Sequence, residues 1–494
     1  MSEHAVLSTG IHGLDHVLGG GWPAGHLYLV LGHPGTGKTT VGMQFLLAGV
    51  RRGERVLYVT LSETAAEVRG MAHSHGWSMD GIDLYELTAA QQVLGLNEEP
   101  TMFDPSDVEF RETSRSILEE VRRVEPQRVV FDSLSELSML ARDPLAFRRE
   151  VLLLKQALLD LNATALLLSD RTTPDTDRQL QSLTHGVLTI EELAPEFGGD
   201  RRRLRVTKLR ATAYRGGYHD LRIATGGMIV YPRMVSAEHG RTFSKERVSS
   251  GIENLDALLG GGLDTGTTTL VMGPSGSGKS SIMAQYAEAS LAHGGKATIL
   301  LFDEQVESFI HRAESLGMPL ARHVKSGSLS LRQIDPAELS PGEFAYSIQE
   351  AVDSGSTFIA IDSLNGYLHA MSEERFVVLQ LHELVSYLNQ QGVTTMMLLA
   401  QHGLMNIPEA PIDLTYISDA VLLTRYFEHA GKFRRALSVM KKRQGEHEDW
   451  IREFRITSSG IHVGEPLQAF RGLFSGTPVF TGEKTALLGD FAGE

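Results

Sequence analysis

Residues Gly32–Thr39 read GHPGTGKT, and residues Gly273–Ser280 read GPSGSGKS. Both stretches match the pattern GxxxxGK[ST], in which glycines let the backbone turn its N–H groups inward around phosphate oxygens. Each stretch follows an apolar segment predicted as a strand and opens a segment predicted as a helix, whose N-terminus favours an anion. The two copies therefore predict two nucleotide phosphate sites in one chain.

The two motifs belong to a longer internal repeat with an offset of 241 residues. Residues Ser8–Gly21 align with Ser249–Gly262 without a gap, and the same offset carries Lys38 to Lys279. A repeat of this length indicates a duplicated domain rather than a solenoid. The predicted organisation is a first domain 1–235, a linker 236–247, a second domain 248–478 and a C-terminal tail 479–494.

Composition and charge exclude several classes of protein. The chain has 494 residues, of which 42% are apolar and 22% charged, a composition typical of globular rather than disordered proteins. Cysteine is absent, which excludes disulfides and thiolate catalysis. Because the sequence shows no secretory signal pattern and no run of about 18 apolar residues, we expect a cytoplasmic protein without a membrane partner.

Strand and helix segments alternate in both halves. Apolar segments such as His26–Leu31 and Thr268–Met272 lack the polar alternation of a half-exposed strand, and helical segments such as Thr39–Val50 separate them. This pattern predicts the α/β class, with each domain a mainly parallel sheet flanked by helices.

The residues of the two phosphate motifs have separate predicted roles. Lys38 and Lys279 are expected to reach the β- and γ-phosphates of ATP, and the hydroxyls of Thr39 and Ser280 to hold Mg²⁺. The residues predicted to contact the nucleotide are Gly32, Pro34, Gly35, Thr36, Gly37, Lys38, Thr39 and Thr40 in the first half, and Gly273, Ser275, Gly276, Ser277, Gly278, Lys279, Ser280 and Ser281 in the second.

Two apolar segments, Arg128–Ser133 and Phe358–Ser363, carry an aspartate at the end of a predicted strand. Asp132 and Asp362 are the predicted metal-site carboxylates, since such a group can orient the water shell of Mg²⁺ beside a phosphate loop. An apolar run that ends in aspartate is common by itself, so this interpretation depends on the phosphate motifs upstream.

Acidic residues also follow the strand after each phosphate-loop helix. These are Glu63 in the first half and Asp303 with Glu304 in the second. A carboxylate that faces the γ-phosphate can orient or deprotonate a nucleophile, so the three are the predicted catalytic residues. The alternative is an acid at a helix N-terminus that the helix dipole favours.

With the GGG turns at Gly19–Gly21 and Gly260–Gly262 and the segment Ile417–Leu423, the sequence resembles the KaiC-like family of tandem RecA-fold ATPases. The resemblance covers nearly the whole chain and implies two tandem RecA-like P-loop NTPase domains. It also implies hexameric double rings that bind ATP and Mg²⁺ between subunits, hydrolyse ATP and autophosphorylate on serine or threonine in the second domain, as a signalling or clock-type protein. By the same resemblance, Lys208, Leu209, Arg210, Lys441 and Arg443 contact the nucleotide of a neighbouring subunit.

The chain departs from the family where catalysis is concerned. The family commonly has two adjacent glutamates, whereas the first half has Ser62 and Glu63, so Glu63 alone must serve and weak hydrolysis is expected there. In the second half, Asp303 and Glu304 keep two carboxylates, but one is shorter by a methylene.

A second departure concerns the phosphoacceptors, where the family has a neighbouring Ser-Thr pair and this chain has Thr415 and Tyr416. Thr415 is the predicted phosphoacceptor, because it keeps a hydroxyl of the right kind. The alternative is an ordinary loop threonine.

Two other function classes share the same fold. A DNA-dependent motor needs basic loops at its axis, but Ser363–Glu374 has no Lys or Arg, and the second half holds −11 of the total charge of −15. The basic run Arg201–Arg210 is consistent with a solvated strand edge, a contact to phosphate or a DNA patch. The other class is a nucleotide-held scaffold with weak turnover. The expected partner is the chain itself, and nucleic acid is disfavoured.

Overall fold

The computed structural model describes residues 5–87, 105–141, 144–171, 174–194, 198–335, 337–370, 377–401, 414–429, 431–468, 470–473 and 479–480. The chain forms two compact units, Met1–Arg233 and Met234–Glu494. Most of the predicted C-terminal tail, from residue 481 onward, lies outside the described residues. The same holds for residues 402–413, which include no Lys or Arg in the sequence.

The first unit alternates strands and helices along the chain. Its strands are β1 (Val6–Leu7), β2 (Trp22–Pro23), β3 (Leu27–Gly32), β4 (Val56–Thr60), β5 (Ile82–Glu86), β6 (Arg128–Asp132), β7 (Thr164–Asp170), β8 (Gly186–Leu193), β9 (Arg201–Leu209), β10 (His219–Ala224) and β11 (Gly227–Tyr231). Its helices are α1 (Leu14–Val17), α2 (Lys38–Val50), α3 (Ala65–Ser74), α4 (Pro105–Val124), α5 (Leu134–Leu140), α6 (Pro144–Asp160) and α7 (Pro174–Leu183).

The second unit repeats this alternation. Its strands are β12 (Arg247–Val248), β13 (Leu263–Asp264), β14 (Thr268–Gly273), β15 (Ala297–Leu301), β16 (Leu329–Gln333), β17 (Phe358–Asp362), β18 (Thr394–Ala400), β19 (Ala420–His429), β20 (Lys432–Lys442), β21 (Arg452–Thr457), β22 (Gly460–Pro466), β23 (Phe470–Arg471) and β24 (Val479–Phe480). Its helices are α8 (Glu253–Leu258), α9 (Lys279–Ala292), α10 (Val306–Ser315), α11 (Leu320–Ser326), α12 (Pro341–Asp353), α13 (Leu364–Ala370) and α14 (Val377–Gln390).

Within the described residues, nine strands of each unit form one sheet, and the two sheets share one order. The first sheet runs β5-β4-β6-β7-β3-β8-β9-β10-β11, and the second runs β16-β15-β17-β18-β14-β19-β20-β21-β22. In each order the first six strands pair in parallel, and the last three are added antiparallel. The predicted α/β class with a mainly parallel sheet is confirmed.

Helices cover both faces of the first sheet. Because successive residues of a strand point to opposite sides, each strand contributes side chains to two cores. On β6, Val130 packs in the same core as Phe45 of α2, whereas Val129 packs in the opposite core with Phe110 of α4 and Val151 of α6. All of these side chains are buried. This double burial explains why the strands read as continuous apolar runs rather than alternating ones.

A carboxylate fixes the turn at the start of each repeat. In the first unit, Asp15 accepts hydrogen bonds from the Ser8 hydroxyl at 2.5 Å and from the Thr9 backbone N–H at 2.7 Å. Asp256 accepts the equivalent bonds from Ser249 and Ser250 in the second unit. The repeated Ser8–Gly21 pattern is thus a structural clasp.

The segment predicted as a linker lies within the second unit and contacts α14. The Ser236 N–H donates to Glu383 of α14 at 3.1 Å, and the Arg241 N–H donates to the Gln390 carbonyl at 3.2 Å. Among the described residues, no helix is long and apolar enough to cross a membrane.

His219 links two backbone groups in the C-terminal part of the first unit. Its Nδ1 accepts the Arg233 N–H at 2.8 Å and its Nε2 lies 3.0 Å from the Arg215 carbonyl, so the neutral ring satisfies both contacts. The ring is 1% exposed, and burial, with added repulsion from nearby cations, lowers the pKa of His219 to about 4. Folding therefore favours the neutral imidazole.

We predict that acid destabilises the first unit through this residue. The folded-state pKa lies below the ordinary value of about 6.5, so His219 binds a proton more readily in the unfolded chain. Its effect on the free energy of unfolding is therefore absent above pH ~6.5 and becomes a loss of about 3 kcal/mol in all as the pH is lowered towards 4. The free energy of unfolding is measured by Trp22 and Trp77 fluorescence in a Trp450→Phe background. His219→Gln should flatten the pH dependence between these limits, and an unchanged pH dependence would contradict the assignment.

Candidate active site

The first phosphate loop joins the end of β3 to the start of α2. Gly35 and Gly37 have φ of 83° and 99°, in the left-handed region that favours glycine. A Cβ at Gly37 would be strained at this φ and would lie 2.4 Å from Cδ1 of Ile223, so glycine is favoured there. Because glycine offers no capping oxygen at the start of α2, first-turn N–H groups face the loop for an anion to bind.

The second loop repeats this geometry between β14 and α9. Gly276 and Gly278 have φ of 73° and 101°. A Cβ at Gly278 would lie 2.4 Å from Cε1 of Phe454. Both loops therefore have the glycine-dependent anion cradle that the motif predicts.

The remaining loop residues divide into a tip and a base. Pro34 and Ser275 are exposed at the tips, whereas Thr40 and Ser281 are buried in the first turn of the helix. At the base, side-chain hydroxyls close each loop on itself. The Thr36 hydroxyl donates to the His33 carbonyl at 2.8 Å, and the Ser277 hydroxyl donates to the Pro274 carbonyl at 2.8 Å.

The two lysine ammonium groups lie inside their loops, 8% and 7% exposed as residues. Nζ of Lys38 donates to the His33 carbonyl at 2.9 Å and lies 2.7 Å from Oδ1 of Asp170. Nζ of Lys279 donates to the carbonyls of Gly273 at 2.9 Å and Pro274 at 2.8 Å. Burial lowers the pKa of Lys279, although Asp362 opposes this effect. Phosphate charge would compensate the burial of both cations.

A hydroxyl of each helix meets the carboxylate of a neighbouring strand. The Thr39 hydroxyl donates to Oδ2 of Asp132 at 2.6 Å, and the Tyr58 hydroxyl donates to the same oxygen at 2.7 Å. In the second half, Ser280 hydrogen bonds to Asp362, and burial raises the pKa of that carboxyl. Hydroxyl and carboxylate oxygens are the ligands that Mg²⁺ prefers, so each pair fits a magnesium ion beside the phosphates.

Glu63 lies in a fixed turn between β4 and α3. Its N–H donates to the Thr60 hydroxyl at 3.0 Å, and that hydroxyl donates back to the Glu63 carbonyl at 2.7 Å. Thr64 caps α3 directly afterwards by a reciprocal bond with Glu67. Burial raises the pKa of Glu63, and the negative charges of Asp132 and Glu67 raise it further. A carboxylate made more basic beside the metal-site aspartate suits a general base.

The equivalent acids of the second half are held by partners. The Ser363 hydroxyl donates to Oδ2 of Asp303. Glu304 is bound by Arg312 of α10, with Nε 3.2 Å from Oε1 and Nη2 2.5 Å from Oε2. The structure therefore brings the catalytic candidates to the metal-site edge in both halves, but in different electrostatic surroundings.

The basic residues at the end of β9 and β20 lie away from their own phosphate loops. Leu209 pairs with Gly186 at the amino end of β8, whereas the loop follows the carboxyl end of β3. Nζ of Lys208 donates to the carbonyls of Gln181 at 2.5 Å and Thr184 at 2.6 Å, and Arg210 donates to the Ser182 carbonyl at 3.4 Å.

The second unit repeats this placement beside the predicted phosphoacceptor. Nζ of Lys441 donates to the backbone carbonyls of Thr415 at 2.8 Å and Ser418 at 3.0 Å, and Arg443 donates to the Tyr416 carbonyl. Thr415 is half-buried at the start of a short 3₁₀ turn, Thr415–Ile417. These residues therefore do not contact the nucleotide loop of their own unit.

Two arginines of the basic run on β9 form ion pairs across the sheet. Arg203 lies 3.2 Å from Glu191, and Arg202 lies 3.4 Å from Glu192 on the neighbouring strand β8. The Arg203 guanidinium also lies 4.0 Å from the centroid of the Tyr218 ring. These contacts favour the interpretation of this part of the run as a strand edge.

Four residues near the loops were missed by the sequence reasoning: Tyr58, Asp170, Arg312 and Arg435. Asp170 ends the strand next to β3, and a search for carboxylates at strand ends would have found it. Nε of Arg435 lies 3.4 Å from the Gly276 carbonyl, but its position within an antiparallel strand gave no signal. In the sequence, only a comparison of the two repeats would single out Arg312, because the first repeat has Met71 at the equivalent position.

Comparison with known proteins agrees with this geometry. The family described as the KaiC ATPase matches residues 7–235 and again residues 248–468. The chain is 26% identical over 488 residues to the circadian clock protein KaiC3 of Synechocystis sp., covering 97% of this chain and 95% of that protein. It is 28% identical over 479 residues to the circadian clock oscillator protein KaiC of Parathermosynechococcus lividus, covering 95% and 87%. It is 27% identical over 492 residues to KaiC of Synechococcus elongatus, covering 97% and 93%. Both repeats carry the family's ATPase domain, and the chain belongs to the KaiC ATPase family.

Proposed function

We propose that the chain is an oligomeric ATPase that hydrolyses Mg·ATP in both halves and phosphorylates itself on Thr415. The observation that carries the proposal is the meeting of a phosphate-loop hydroxyl with a strand-end carboxylate in both units, Thr39 with Asp132 and Ser280 with Asp362. In each unit, a glycine-rich loop that can bind an anion and an acidic residue after the next strand complete the proposed site. A bound Mg²⁺ supplies neutralisation of phosphate charge.

The side chains divide the work of hydrolysis. Loop N–H groups and the lysine ammonium, Lys38 or Lys279, bind the β- and γ-phosphates and stabilise charge in the transition state. Glu63 or Glu304 orients the attacking water and accepts its proton as the water oxygen bonds to the γ-phosphorus. The bond from that phosphorus to the bridging oxygen breaks, and ADP and phosphate leave. The raised pKa of Glu63 supports this role in the first half.

The placement of the basic residues supports an oligomer with nucleotide at subunit interfaces. Asp419, which lies close to Lys441 and Arg443, pairs with Thr268 at the amino end of β14, while the loop follows Gly273 at the other end. The strand rises by five residues from Thr268 to Gly273, which places its two ends about 17 Å apart. Lys441 and Arg443, like Lys208 and Arg210, therefore reach a nucleotide only on another subunit, and a hexameric ring supplies that neighbour.

The same distance determines the direction of phosphorylation. Thr415 shares the amino-terminal edge with Lys441, so its hydroxyl is remote from the ATP of its own subunit. Phosphoryl transfer needs the hydroxyl oxygen about 3 Å from the phosphorus. The donor is therefore the ATP of the neighbouring second domain, and the modified Thr415 reports the state of the ring to signalling partners.

Hydrolysis tests the proposal directly. Lys38→Ala isolates the second half and Lys279→Ala isolates the first. Within these backgrounds, Glu304→Gln and Glu63→Gln should each reduce steady-state phosphate release by about 100-fold or more, because each removes a general base. Asp80→Asn and Glu307→Gln, which change exposed acids outside the proposed sites, are the matched controls. Absence of ATP-dependent phosphate release from both halves would overturn the proposal.

Phosphorylation is tested by mixing two variants. Alone, a Thr415→Ala chain lacks the acceptor and a Lys279→Ala chain lacks the donor, so neither should incorporate labelled phosphate from ATP. Mixed oligomers should carry label on Thr415 of the Lys279→Ala chain, as phosphopeptide mapping shows. Tyr416→Phe, which removes the exposed neighbouring hydroxyl, should leave the label in place. Label that persists in Thr415→Ala contradicts the assignment of the acceptor.

A further inference from the structure

Glu304 is restrained by a two-point ion pair. Nε of Arg312 lies 3.2 Å from Oε1 and Nη2 lies 2.5 Å from Oε2, so the fork of the guanidinium engages both carboxylate oxygens. Such charge-assisted, bidentate contacts fix orientation as well as adding energy. The Arg312 guanidinium also lies 5.3 Å from the centroid of the Phe309 ring, which supports it from within α10.

The described residues of the first unit include no counterpart of this pair at the equivalent positions. The repeat offset carries Glu304 to Glu63 and Arg312 to Met71, an apolar residue that packs on the core of the first unit. The charges that act on Glu63 are negative ones, those of Asp132 and Glu67. Both acids lie near a strand-end aspartate, Asp132 or Asp362, but Glu304 is also bound by a guanidinium.

This difference has a chemical consequence. A carboxylate that accepts two bonds from a guanidinium has its oxygens turned towards that cation rather than towards a water molecule. The positive charge of Arg312 also reaches Asp362 at the metal site. Both partners are partly exposed, at 34% and 29% of their side-chain surface, so the pair can open without breaking the core.

We propose that Arg312 is a positioning residue that restrains Glu304 and makes the second half the slower ATPase of the two. ATP held there without hydrolysis then remains available as the phosphoryl donor for Thr415. This inference rests on the proposed function, since it concerns the regulation of the same carboxylate. The resulting order of rates is the reverse of the one that Ser62 alone suggests.

A reciprocal exchange between the repeats tests the restraint. In the Lys38→Ala background, Arg312→Met should raise kcat for phosphate release by about threefold or more, with KM for ATP changed less than about twofold. Arg312→Lys, which keeps the charge but not the fork, should give an intermediate kcat. In the Lys279→Ala background, Met71→Arg should lower kcat of the first half by a similar factor.

The matched control is Arg322→Met, which removes an ion pair with Glu288 at 2.5 Å on another helix of the same unit. It should leave kcat unchanged, and equilibrium ATP binding by every variant verifies that the site is folded. An Arg312→Met chain whose kcat is unchanged or lower overturns the restraint, while wild-type turnover still supports the proposed function. Absence of phosphate release from both halves of the wild type overturns the proposed function itself. If the Arg312→Met chain also releases no phosphate, the proposed restraint of Glu304 is overturned as well.

Discussion

The left-handed glycine that ends each phosphate loop is the constraint on which the two sites depend. At Gly37 and Gly278 the chain passes from a buried strand into a helix with φ near 100°, and a Cβ would collide with the side chain packed behind it. Glycine adopts this φ without strain, and it leaves the first turn of the helix without a side-chain cap. The N–H groups of that turn thus become the anion site, with the lysine ammonium and the metal-site hydroxyl placed by the same turn.

Around this constraint the repeats have diverged in the groups that surround the phosphates. The clasp formed by Asp15 and Asp256 and the order of the strands are the same in both units. Asp170, the ion-pair partner of Lys38, ends β7 beside Gly32, whereas Ala400 takes that place beside Gly273. Met71 and Arg312 differ beside the proposed catalytic carboxylates, Glu63 and Glu304. One scaffold therefore has two electrostatic environments, which is the physical basis for the different rates that we propose for the two halves.

Most of the fold follows from local patterns in the sequence. The predicted strands end within one or two residues of those observed, because apolar runs of fixed length and glycine-rich turns mark them clearly. The phosphate loops and the strand-end aspartates could be placed because their chemistry depends on contiguous residues. Arg312 and Asp170 could not, since each acts through a partner brought close by packing. The position of Lys441 beside the backbone of Thr415 also depends on the sheet register rather than on spacing along the chain.

We propose that each chain holds two nucleotides in two copies of one site. Equilibrium dialysis with a non-hydrolysable ATP analogue and Mg²⁺ counts the bound nucleotides. We expect two bound nucleotides per chain for the wild type, one for Lys38→Ala or Lys279→Ala, and none for the double variant. A wild-type chain that binds one nucleotide, or a single variant that still binds two, would contradict it.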